Sequence, residues 1–164
     1  AFFHRGPIDA KELGLAGHWS AYWNNGFIYG SEIGRGVDVL RLAPSEHLSQ
    51  NEIDAALLVR TEELNTQLQT KVTWPSSPVV ARAYLDQLTR SRGIQPERAR
   101  ALKAALDKAD DIRTGREKNA AATLDALEAI AKQVEGDAGS ASSRDQMRLK
   151  ALADTLKGGI AKLR

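Results

Sequence analysis

Cysteine is absent from this 164-residue chain, and methionine occurs once. The first absence excludes disulfide staples and thiolate metal sites. It assigns no compartment, because many exported bacterial proteins also lack cysteine. Long apolar runs are missing as well: nothing approaches the roughly 18–20 residues needed to span a bilayer, so no transmembrane segment is read. Charge of one sign is also lacking, since 23 Lys and Arg stand against 21 Asp and Glu, for a net +2. That balance describes a mixed-sign surface and argues against nucleic acid as a partner. Aromatic residues make up only 5% of the chain, yet seven of the nine lie before residue 30. The chain opens AFFHRGP without an initiator Met, so it reads as a processed or truncated product, and a missing signal peptide then carries no weight.

What is present falls into two halves with different periods. Hydrophobic content of 42% and charged content of 27% are ordinary for a globular protein. Residues 16–42 carry the period of a sheet. In WSAYW, strict alternation puts Trp19, Ala21 and Trp23 on one face and Ser20 and Tyr22 on the other. Asn25-Gly26 is a hairpin signal, since both residues tolerate the positive φ of a type I′ turn. FIYGSEI is the return strand, and Gly34-Arg35-Gly36 turns the chain into VDVLRL, giving a three-stranded meander. AFFHR is read as a fourth, edge strand.

After Pro44 the period becomes 3.6. Ser49 and Glu52 have the spacing of a capping box, and helix is expected to continue through IDAALLVRTEEL. A polar connector over 65–73 leads to Trp74-Pro75. Pro78 and Pro96 stand where helices begin, Gly93 and Gly115 where they end. GDAGSASS (136–143) reads as a loop. The inward stripes are Val80, Tyr84, Leu88; Leu102, Leu106, Ala109; Leu124, Leu127, Ile130, Val134; and Leu149, Leu152, Leu156, Ile160, Leu163. Gly158-Gly159 should weaken or bend the last helix by about 1 kcal/mol per glycine. Short connections between such helices make an antiparallel bundle. The expectation is an α+β chain: residues 1–44 a propeller-blade-like antiparallel β-meander, 45–75 a linking helix and connector, 76–164 an α-helical bundle.

The sheet has large side chains on both faces, where a sheet solvated on one side alternates into polar residues. A propeller blade, sandwiched between neighbouring blades, accounts for that. The stretch GHWSAYWNNGFIYGSEIGRGVDVLRLAPSEHLSQNEIDAA resembles the C-terminal region of bacterial LVIVD-repeat proteins, and IYGSEIGRGVDVLRLAP is similar to one divergent repeat. VVARAYLDQL, ALKAALDKA and LKALADTLKG resemble the helical tails of such proteins. The resemblance implies an exported β-propeller at the cell surface or in the periplasm, of which this chain supplies the last blade. Two departures stand out: the preceding blades are missing, and His4 occupies a place where an acidic residue is expected.

Chemistry-bearing constellations are few. His4, His18 and His47 lack paired metal-ligand spacing, and the serines lack a nucleophile-elbow context. EGDAGSASSRD is rich in oxygens but fails the ligand spacing of a calcium loop. Arg82, Arg90, Arg92, Arg98, Arg100 and Lys103 form the densest basic stretch and read as a solvated bundle face. Glu32 and Asp38 are the polar candidates. Glu32, just before the GRG turn, is placed to pair with Arg35, to help bind a cation at a propeller rim, or to anchor the turn. Trp19, Tyr22 and Trp23 form either a ligand-stacking platform or, preferably, part of a packing surface that Phe27 and Tyr29 complete.

The leading expectation is a non-enzymatic structural or interaction module whose partner is the remainder of the propeller or another protein chain. The alternative is an enzyme or ligand-binding propeller with its site mostly outside this stretch. No cofactor and no oligomeric state is assigned.

Overall fold

A computed structural model describes residues 5–68, 71–116 and 119–164. The strand expected from AFFHR falls almost wholly outside these residues, as does His4. The chain separates into two compact units, residues 1–73 and 74–164.

The first unit is built on an antiparallel meander of β1 (His18–Asn24), β2 (Phe27–Glu32) and β3 (Gly36–Arg41), in the order β1-β2-β3. Asn25 and Gly26 both hold positive φ, 50° and 97°, as a type I′ hairpin requires. Register places Tyr22, Tyr29 and Val39 side by side on one face, and Trp23, Ile28 and Leu40 on the other. An irregularity between His18 and Ser20 inserts Trp19 as an extra residue. Strict alternation therefore stops at Trp19, which does not share a ladder face with Ala21 and Trp23. A bulge breaks the period without leaving a mark in the pattern.

The capping box at Ser49 forms as its spacing requires. The Ser49 hydroxyl accepts from the Glu52 N–H at 3.2 Å, and the Glu52 carboxylate accepts from the Ser49 N–H at 2.7 Å. Helix α1 nevertheless covers only Gln50–Ala56 and does not run on to Leu64. Its last bonds tighten to Leu58 N–H on Ala55 O and Val59 N–H on Ala56 O. Beyond them the hairpin captures the chain: Asn25 donates through Nδ2 to Thr61 O at 2.8 Å and accepts from the Thr61 N–H at 3.0 Å. The Leu57 side chain fills the space where a Cβ on Gly26 would lie, 2.4 Å from its Cδ2.

The second unit is a four-helix bundle: α2 (Pro78–Ser91), α3 (Pro96–Arg113), α4 (Ala120–Asp137) and α5 (Ser143–Leu163), with a 3-10 turn at Ala138–Ser140. Part of the expected 136–143 loop is thus taken into helix. Cross-helix pairs fix the directions. Arg82 near the start of α2 meets Asp107 and Asp110 near the end of α3, at 2.7 and 2.9 Å. Arg98 near the start of α3 meets Asp137 at the end of α4, at 2.6 Å. Arg164 at the end of the chain reaches back to Asp125 and Glu128 of α4, both at 2.9 Å. Ser91 at the end of α2 donates to Asp145 at the start of α5, at 2.9 Å. Each adjacent pair is antiparallel, an up-down-up-down arrangement.

Leu88, Leu102, Leu149 and Leu152 are fully enclosed. Small residues, Ala81, Ala105, Ala131 and Ala153, complete the core and let the helices approach. Helix α5 runs unbroken through Gly158-Gly159. Gly158 is there for space, since a Cβ would sit 2.3 Å from the Ser76 hydroxyl. Among the described residues no helix is long and apolar enough to cross a membrane.

Candidate functional site

The polar candidates of the first unit converge, but on structural duties. Glu32 ends β2 and is only 5% exposed. One carboxylate oxygen accepts from the Gly17 N–H at 2.8 Å and the other from the Gly34 N–H at 3.1 Å. The bond from Gly17 is the main reason its carboxyl lies below the usual range; burial opposes this, and the backbone and charge of Arg35 add to the lowering. A carboxylate so held closes the β2–β3 turn and ties it to the entry of β1. Ile33 N–H on Gly17 O, at 3.0 Å, reinforces the same junction.

Asp38 is the second node. It accepts from Arg5 Nη1 at 2.8 Å and pairs with His18 Nε2 at 3.0 Å. His18 is on β1 and Asp38 on β3, so the imidazole must cross β2. It does so over Gly30, where an added Cβ would lie 2.5 Å from the ring. Arg35 donates to the carbonyls of Gly6 and Pro7, at 3.2 and 2.7 Å. These groups border a cavity of about 370 Å³ lined by Arg5, Gly17, His18, Glu32 and Arg35. Arg5 and Arg35 share this lining with one carboxylate, Glu32, and the four carboxylate oxygens of Glu32 and Asp38 already have partners within the unit. Among the described residues no group of three potential metal ligands comes together. His47 lies apart from His18 and pairs with its neighbour Glu46 at 3.3 Å, both well exposed.

The aromatic candidates divide between the two faces. Trp23 is half-buried with Ile28 and Leu40. On the opposite face Tyr22 and Tyr29 stand 44% and 38% exposed beside Val39 at 57%, with Val37 at 68% one register step on. Phe27 continues this face, its ring 6.4 Å from Tyr29 and capped by the Arg41 guanidinium at 5.2 Å. Trp19, pushed out by the bulge, is 76% exposed. Val37 and Val39 were not among the site residues drawn from the sequence. Their signal was two β-branched residues alternating along an edge strand. Ser20, Asn24, Ser31 and Arg41 are the polar members of the same face, so an apolar row is bordered by polar groups.

At least half of the basic stretch of the helical unit is paired with nearby acids. Arg82 and Arg98 make the cross-helix pairs described above, and Arg100 meets Glu97 at 2.9 Å. The oxygen-rich stretch EGDAGSASSRD (135–145) also turns inward to structure. Asp137 binds Arg98, and Asp145 accepts from Ser91 and from Arg148 Nη1 at 3.1 Å. Burial pushes the Asp145 carboxyl up, but Ser91, Arg148 and Ser142 together outweigh it and hold it below its ordinary range. Comparison with known proteins finds no matching family model, no matching curated protein and no matching solved structure.

Proposed function

We propose that this chain is a non-enzymatic interaction module whose N-terminal sheet docks through its open aromatic face onto further β-structure. The partner is the remainder of a propeller, or another protein chain in its place. One observation carries the reading: the row Tyr22, Tyr29 and Val39, extended by Val37, is largely apolar and exposed. Two sheets pack face to face by interdigitating such rows about 10 Å apart. An apolar centre within a polar border is also the anatomy of a protein interface. The resemblance to LVIVD-repeat proteins adds the class of partner and a place outside the cytoplasm. Glu32 and Asp38 favour this reading over a ligand-binding one, because both carboxylates spend their oxygens on the unit's own donors.

The test is native mass spectrometry of the chain isolated from the cells that make it, beside a Tyr22→Ser, Tyr29→Ser, Val39→Thr variant. Exposed substitutions of this kind typically change stability by less than about 0.5 kcal/mol each. The wild-type chain is expected to be linked to, or associated with, further protein mass, and any non-covalent association should be lost in the variant. A wild-type chain that is alone and monomeric would refute the proposal.

A further inference from the structure

The helical unit carries a second feature that the docking role does not use. A cavity of about 220 Å³ sits at one end of the bundle, between the start of α2, the end of α3, the middle of α4 and the last turns of α5. Its walls are mainly apolar, with Ala81, Leu106, Leu127, Leu156 and Ile160 among them. Gly159 leaves part of it open, since a Cβ there would meet nothing within 4 Å. That openness contrasts with Gly158, whose missing side chain is replaced by Ser76.

The charged residues at the cavity are all of one sign. Arg113 and Lys162 line it, and among the described residues no carboxylate does. Arg113 is 65% exposed and held only loosely, 3.8 Å from Asp110, which keeps its shorter pair at 2.9 Å with Arg82. Lys162 spends one of its three donors on Ser76 O at 3.1 Å. Ser77 and Pro78, also in the lining, place the positive end of the α2 dipole on the same side.

We infer that this cavity binds a small amphiphilic anion, a free carboxylate with a saturated chain of about six to eight carbons. The size follows from scale: a dry apolar cavity of about 150 Å³ admits benzene, so the larger space here takes a slightly longer chain. The apolar walls select the chain, and the cations at the rim select the head. Neutral or cationic amphiphiles of equal length satisfy the walls but not the rim.

The experiment uses the full chain and follows the bundle by far-UV circular dichroism during melting, with octanoate, octanol and octylamine as probes. Octanoate below its micelle threshold should raise the bundle's melting temperature saturably, by about 5 °C or more at ten times its dissociation constant. It should bind about fivefold more tightly than octanol, the scale of one exposed charge pair, with octylamine weakest. Gly159→Leu should fill the space and abolish the octanoate shift. Should that variant fail to fold, the exposed double substitution Arg113→Gln, Lys162→Gln decides instead by erasing the preference for octanoate over octanol. The inference is overturned if no probe gives a saturable shift, or if octylamine matches octanoate. It is equally overturned by a folded Gly159→Leu chain that still binds, or by a double variant that keeps the preference.

Discussion

Glu32 shows how one side chain is committed to structure. Its two oxygens accept backbone N–H groups from Gly17 and Gly34, and its carboxyl lies below the usual range. A folded-state value below the unfolded one gives stability that is present above the unfolded pKa and lost as pH falls through the folded pKa. The first unit should therefore loosen on acidification below the ordinary carboxylate range. Glu32→Gln should lower its stability at neutral pH and flatten that acid limb, because an amide offers one acceptor oxygen and turns a donor toward a donor. Tryptophan emission against pH checks this in a Trp74→Phe background, since Trp74 lies in the other unit; an unchanged acid limb in the variant would show that other groups carry it. Gly30→Ala offers a second test. The new methyl should displace the His18 ring from Asp38 and leave the meander intact, at a cost under about 1 kcal/mol, the range of an exposed ion pair. A shifted His18 resonance with an otherwise unchanged NMR spectrum is the expected signature.

Glu32 stood out in the sequence because an acid before a Gly-Arg-Gly turn has local work to do. Of the three roles open to it, turn anchoring through backbone donors is the one the geometry shows, with Arg35 adding its backbone as well as its charge. Its partner Gly17, 15 residues upstream, was not legible. Neither was the His18–Asp38 pair, which depends on the register of three strands and on the glycine between them.

At the scale of elements, what was legible was local. The type I′ hairpin, the Ser49 capping box and the proline-started helices depend on residues within a turn of one another, and they formed as their spacing demands. The helical stripes were also readable, because burial in a bundle repeats every turn. Two features were not. The end of α1 is set by Asn25 gripping Thr61, 36 residues away, and the bulge at Trp19 is an insertion that alternation cannot reveal. The paired glycines of α5 show the same limit. Gly158 is held by a contact with Ser76, while Gly159 has open space. Gly159→Ala should therefore stabilise the bundle by up to about 1 kcal/mol, and Gly158→Ala should not, since its methyl collides with Ser76. Equal gains at the two positions in urea melts would contradict this packing. Leu152→Ala, at a fully enclosed site, should cost about 2–5 kcal/mol in the bundle's transition alone.

The whole molecule combines two units of different character. Residues 74–164 enclose a continuous core among four helices, whereas residues 1–73 expose an apolar face on a three-stranded sheet. Trp19 and Trp23 belong to the first unit, and most of the helix belongs to the second. With Trp74, which lies in the second unit, replaced by Phe, melting followed by tryptophan emission and by the helical dichroism signal should therefore give two transitions that do not coincide. The scarcity of aromatics elsewhere acquires a physical meaning at this scale. The bundle is packed with leucine and alanine, and the large rings are concentrated where a partner is proposed.

The most direct measurement of that docking face is oxidative footprinting of Tyr22 and Tyr29, comparing the chain within its isolated native assembly with the free chain. Strong protection of both tyrosines in the assembly, with ready modification in the free chain, is the expected result. Equal modification in the two states would mean that the open face is not where this chain meets its partner.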